Sequence, residues 1–168
     1  ERILSYSVDT TLRLWDKDGN FLKLLEGHTD SIDGVSILED GKIISYSKDR
    51  TLRLWDSQGN FLKELEGHTD RIRGVKILKD ERILSYSDDK TLRLWDNKGK
   101  FLEELKGRHS GPINGVEILD DGRILSYSSE FPSNSNDNTP RLWDKNGKFL
   151  ELLEGHSDSI SGVKILDD

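Results

Sequence analysis

Four histidines, His28, His68, His109 and His156, are the side chains best equipped to ligate a metal or move a proton. Each follows a glycine at the same place in a longer pattern, with Arg108 intervening before His109. None has a second His or a Cys at ligand spacing, so no metal site is expected and the recurrence points to a structural duty. The aspartates divide in the same way. Asp49 and its equivalents follow a Ser-rich strand, and Asp16 and its equivalents close a Trp-Asp pair. Asp16-Lys17-Asp18-Gly19 begins like a calcium loop but lacks the remaining oxygen ligands at the right spacing. There is no GxSxG, no phosphate-cradling glycine loop and no paired carboxylate outside the repeats, so neither an enzyme nor a cofactor is expected. One tryptophan per period at a fixed place reads as framework, not as a ligand box.

The elements that must position these residues repeat. TLRLWD occurs at 11–16, 51–56 and 91–96, and TPRLWD at 139–144. ILSYS or IISYS precedes each copy and FLxxLxG or a near variant follows it, and residues 1–40 match 41–80 at about 28 of 40 positions. The last spacing is longer because Arg108 is added and about seven residues are inserted near Ser129–Ser135. Each period reads as four short strands, in the second unit 32–38, 42–47, 51–56 and 61–67, with Asp-Gly at 40–41 and Gln-Gly at 58–59 supplying turns. Leu52 and Leu54 point one way and Arg53 and Trp55 the other, so both faces carry bulk, as in a sheet sandwiched between two others.

Composition narrows the partners. The 168 residues are 33% hydrophobic and 34% charged, with a net charge of -7. An acidic surface repels a phosphate backbone, so nucleic acid is not expected. No apolar stretch approaches spanning length and no signal peptide is visible, so no membrane partner is expected either. Cysteine is absent, which rules out a disulfide framework and suits a reducing, cytoplasmic setting. Methionine is also absent, even at residue 1, which reads as a start trimmed or processed from something longer.

Gly-His, the turn Asp after the second strand and Trp-Asp closing the third together resemble the WD-repeat family along the whole chain. The resemblance implies an all-β propeller of four-stranded blades, 1–168 forming a single domain. It also implies a hydrogen-bonded set in each blade: His28 with Ser47, Asp49 and Trp55; His68 with Ser87, Asp89 and Trp95; His109 with Ser128, Asp137 and Trp143; and His156 with Ser7, Asp9 and Trp15. Ser45, Ser85 and Ser126 are alternates, because residues two apart share a strand face. Two departures from the family stand out. Tyr6, Tyr46, Tyr86 and Tyr127 stand between the serines and are expected to fill space between blades, and Pro140 opens a third strand, where a lost donor is tolerable.

The period is out of phase with the blade. Residues 1–27 hold second, third and fourth strands, while the matching first strand, 160–166, and His156 lie at the far end. One blade is therefore split between 1–27 and 156–168. Either the two ends meet in a four-bladed ring, or they complete blades between two chains. The gentler angle of eight blades favours a homodimer with two-fold symmetry.

Positions where the copies disagree are the candidates for recognition. After each His these are Ser31 and Asp33, Arg71 and Arg73, Pro112 and Asn114, Ser159 and Ser161; before the turn Asp they are Val8, Lys48, Asp88 and Asn136. The family resemblance puts both loops on one face around the central channel. Lys48, Arg71 and Arg73 would form a basic cluster there, and Phe131 in the inserted loop could anchor a partner. Two functions follow: a non-catalytic protein- or peptide-binding scaffold, or a self-assembling propeller half whose main partner is another copy of itself.

Overall fold

The computed structural model describes residues 1–105, 109–128 and 137–166. Every regular element among them is a β-strand. The first sheet holds β1 (Arg2–Tyr6), β2 (Leu12–Asp16) and β3 (Phe21–Leu25). The second holds β4 (Ile32–Ile37), β5 (Ile43–Ser47), β6 (Leu52–Trp55) and β7 (Phe61–Leu65). The third holds β8 (Ile72–Ile77), β9 (Ile83–Ser87), β10 (Leu92–Trp95) and β11 (Phe101–Glu104). The fourth holds β12 (Ile113–Ile118), β13 (Ile124–Ser128), β14 (Arg141–Trp143) and β15 (Phe149–Leu152). Strands pair antiparallel with their chain neighbours, which makes each sheet a meander and each a blade of the expected all-β propeller.

The first sheet has three strands instead of four. Residues 160–166 form no strand, and no ladder among the described residues joins them to β1. An extended segment without a paired neighbour has no hydrogen-bond ladder to hold it. Among the described residues the first and fourth sheets thus remain separate.

Local chemistry explains the turns. Asp56 Oδ1 accepts from the backbone N–H of Gln58 at 2.9 Å and of Asn60 at 2.8 Å, while Asn60 Nδ2 donates to Asp56 Oδ2 at 2.7 Å. The chain reverses at Gly59, whose φ of +75° is costly for any residue with a Cβ. A bulge between Leu54 and Trp55 swings the indole out of strict register, and the same shift recurs at Leu14/Trp15, Leu94/Trp95 and Leu142/Trp143.

The core lies between blades, as two-faced strands require. Leu52, Leu54 and Leu65 of one blade pack on Ile72, Ile83 and Trp95 of the next. Leu92, Leu94 and Leu105 pack in the same way on Ile113, Ile124 and Trp143. Leu12, Leu14 and Leu25 do so on Ile32, Ile43 and Trp55. Fully burying a side chain of this size contributes roughly 1.5–3 kcal/mol, so each joint is a substantial hydrophobic contact.

Candidate functional site

The polar set in each complete blade is built from β5, β6 and the loop before β4, or their equivalents. Trp55 Nε1 donates to Ser45 Oγ at 3.0 Å, Ser45 Oγ stands 2.8 Å from His28 Nε2, and His28 Nδ1 stands 2.7 Å from Asp49 Oδ2. With Asp49 accepting, Nδ1 carries the proton and Nε2 accepts from the serine hydroxyl. In the third blade Trp95, Ser85, His68 and Asp89 repeat this at 3.0, 2.8 and 2.7 Å. In the fourth, Trp143, Ser126, His109 and Asp137 stand at 2.9, 2.8 and 2.9 Å.

The serine assignment is corrected by this geometry. Ser45, Ser85 and Ser126 occupy the place expected for Ser47, Ser87 and Ser128, and Ser5 takes the place of Ser7, accepting from Trp15 Nε1 at 2.9 Å. Trp55 pairs across the ladder with Ile43, so its indole reaches diagonally to Ser45, whereas Ser47 lies at the far end of the strand. Ser47 Oγ instead donates toward the carbonyls of Asp30 and Ser31, at 3.0 and 2.9 Å, and accepts from Asp49 N–H at 3.0 Å. Ser87 does the same with Asp70 and Asp89, at 3.1 and 3.0 Å, and Ser7 accepts from Asp9 N–H at 3.1 Å. Ser128 is buried at the end of β13. His156 is exposed in the single chain and is not brought to Asp9 or Trp15.

Asp–His–Ser in a line has the order of a nucleophilic triad, but this one is sealed. Ser45 is 0% exposed and its oxygen already accepts the indole proton, so no substrate reaches it. The electrostatics match a locked network. Burial alone would raise the Asp49 carboxyl; hydrogen bonds from His28, Thr51 and the N–H groups of Thr29 and Thr51 outweigh it and hold the acid well below the usual range. Asp89 and Asp137 are held down likewise, by His68 and Thr91 and by His109 and Arg141. Burial lowers His109; Asp137 opposes that, and the Arg141 guanidinium, 2.5 Å away, adds to it. Arg141 Nη1 also donates to Asp137 Oδ1 at 2.7 Å, a position that Thr51 and Thr91 occupy in the other blades, so the fourth set differs in kind.

The candidate recognition residues fall into pairs. Arg71 donates to Asp33 of the neighbouring blade through Nε at 2.7 Å and Nη2 at 2.8 Å, a two-pronged contact. Arg73 Nε donates to Asp88 Oδ1 at 2.6 Å. The expected basic cluster is therefore a mixed-charge row, because the arginines are matched by the two aspartates. Lys48 and Asn114 are exposed and stand apart from that row. Phe131 and Asn136 lie outside the described residues. Asp16, first of the calcium-like residues, is turned inward on its own loop, accepting from Asp18 N, Asn20 N and Asn20 Nδ2 at 2.9, 2.8 and 2.8 Å.

One feature went unread in the sequence. In the three four-stranded blades the tyrosine of the SYS strand covers a glycine of the first strand: a Cβ at Gly34, Gly74 or Gly115 would overlap the hydroxyl of Tyr46, Tyr86 or Tyr127. Burial, with Tyr46 and Tyr127 nearby, pushes the Tyr86 hydroxyl up to about 12. The constant spacing of these glycines from SYS was the signal. Among the described residues, no helix is long and apolar enough to cross a membrane.

A family model described as WD domain, G-beta repeat matches residues 19–56, 59–96 and 99–144. No curated protein matches the chain.

Proposed function

The chain belongs to the WD-repeat family, and from that premise we propose that it is a non-catalytic scaffold holding a protein or peptide partner on its loop face. WD repeats indicate a protein-interaction scaffold in general. The observation that carries the reading to these residues is the Asp33–Arg71 and Arg73–Asp88 row. These are positions where otherwise matching repeats differ, and their side chains are held in place before any partner arrives. Pre-ordered polar groups on a rigid frame reduce the entropy lost on binding. The row offers both signs of charge, so it suits a partner with paired acidic and basic groups better than a purely acidic one. We place the protein in the cytoplasm on the strength of its cysteine-free sequence.

Peptides selected against the immobilised chain test this. Their affinity should fall at least about tenfold for the Arg71→Ala/Arg73→Ala variant, with its melting temperature kept within a few degrees. Equal affinity would move the site elsewhere, and failure to select any binder would sink the scaffold reading.

A second reading, a self-assembling propeller half, is favoured by a separate observation. β1 is exposed along most of its length, whereas its equivalents β5, β9 and β13 are buried.

A further inference from the structure

The three joints inside the chain follow one recipe, and its two halves stand open at opposite ends of the sheet array. In each joint a leucine meets a turn glycine: Leu25 lies 3.1 Å from a Cβ built on Gly59, Leu65 2.9 Å from one on Gly99, and Leu105 2.9 Å from one on Gly147. In the first two joints an arginine also covers the loop glycine that leads into its blade, Arg53 over Gly27 and Arg93 over Gly67, whereas Arg141 at the third meets His109 and Asp137. A tyrosine covers the first-strand glycine, and the loop histidine enters between serine and aspartate.

Beyond β15 one half is unfilled. Leu153 is 40% exposed where Leu25 is 1%. Gly155 and Gly162 have nothing within 4 Å of a Cβ, and His156 is exposed. At the first sheet the other half is unfilled. Tyr6, Arg13, Ser5 and Asp9 are exposed, and Gly19 has nothing within 4 Å. Leu153 has its counterpart in Gly19, Gly155 in Arg13, Gly162 in Tyr6, and His156 in Ser5 and Asp9.

The hydrophobic faces match too. A groove of about 510 Å³ runs between Leu125, Pro140 and Leu153 of the last blade and Ile160 and Val163 of the segment after it. At the joint between the second and third blades the equivalent side chains close on Ile83 and Trp95. The residues of this chain in those places are Ile3, 52% exposed, and Trp15, half-buried.

We propose that a second copy of this chain fills the groove, so that each copy donates His156 and the strand 160–166 to the three-stranded blade of the other. This rests on the self-assembly reading and names the joint through which it occurs. The register follows that of β4 on β5, where Ile32 pairs with Ser47, Val35 with Ser45 and Ile37 with Ile43. By that register Ile160 pairs with Ser7 of the second copy, Val163 with Ser5 and Ile165 with Ile3. His156 then stands between Ser5 and Asp9 of the second copy, completing a site that neither chain completes alone. Two such joints related by a two-fold axis remove both open edges and close eight blades.

Light scattering on the 168-residue chain, across a dilution series, should plateau at twice the 19.2 kDa chain mass. Trp15 emission should shift to the blue on association, a shift absent in Trp15→Phe. His156→Ala should weaken association roughly tenfold per joint, about a hundredfold in all, and Leu153→Glu should abolish it. Both side chains are exposed in the single chain, so both variants keep its fold. A chain that stays at 19.2 kDa overturns the proposal together with the self-assembly reading. A doubled mass indifferent to both substitutions overturns this joint and leaves self-assembly through another surface. Mass that grows without a plateau overturns the closed two-fold ring.

Discussion

The β4–β7 blade and the β1–β3 blade carry nearly the same sequence in different surroundings. Ser45 and Trp55 are buried, whereas Ser5 is exposed and Trp15 half-exposed; Ile43 is buried, whereas Ile3 is not. Yet Trp15 still donates to Ser5 at 2.9 Å, and Asp9 still holds Thr11 N–H at 3.0 Å and Thr11 Oγ1 at 2.7 Å. Those bonds belong to strand register and turn geometry, which three strands suffice to define. What the open blade lacks is everything delivered from outside its strands: the histidine, the first strand and the leucine face of a preceding blade. A WD blade is thus two layers of structure, a local meander and a joint supplied by its neighbour.

The sharpest way to break this comparison is to delete the serine in both blades. Ser45→Ala leaves a buried indole N–H and a buried histidine nitrogen without their partner, and should cost about 3 kcal/mol in urea unfolding. Ser5→Ala in dilute protein should cost under about 0.5 kcal/mol, because water replaces the hydroxyl. Ser47→Ala should cost about 1 kcal/mol, since it ties a loop and not the indole. If Ser47→Ala proved the costlier of the two β5 changes, the diagonal Trp–Ser pairing would be wrong.

That same pairing marks the limit of sequence reading. The repeated meander, the strand order and the His–Asp–Trp members of the three four-stranded blades were legible because period, turn glycines and alternation are written in residue types. The choice between Ser45 and Ser47 was not, because both lie on one strand face and only the register of β5 on β6 decides it. The neutralised arginines were also out of reach. Asp33 and Arg71 are thirty-eight residues apart, and their contact exists only because adjacent blades stack. The exchange of Thr for Arg141 in the fourth set depends on a rotamer that no spacing encodes.

Acid sharpens the comparison next. Asp49, Asp89 and Asp137 are held low in the folded chain, whereas an unfolded carboxyl titrates near 4. The native state therefore gains their full contribution above about pH 4 and loses it as pH falls, by on the order of 1 kcal/mol for each at pH 3. Asp49→Asn should flatten that slope. His109, also lowered, adds a loss that begins below about pH 6.5, where the unfolded imidazole takes a proton that the folded one resists. Urea midpoints at pH 7, 5 and 3 check this; stability that rose on acidification would contradict the network.

A last, small effect should be equal in the two blades. Arg50 and Thr10 sit at the same turn position with φ of 74° and 73°, a left-handed conformation that costs a side-chain-bearing residue about 1–2 kcal/mol. Glycine relieves that strain but enters folding with more backbone entropy to lose, so each of Arg50→Gly and Thr10→Gly should stabilise by roughly 0.5–1 kcal/mol. Both act on the turn that Asp49 and Asp9 build through the N–H two residues on, a bond the open blade already makes at 3.0 Å and the complete one at 2.9 Å. Equal gains in thermal unfolding would place the turn in the local layer. A gain at Arg50 with none at Thr10 would mean that the turn, too, is held by the joint, and that the open blade is frayed further than its strands.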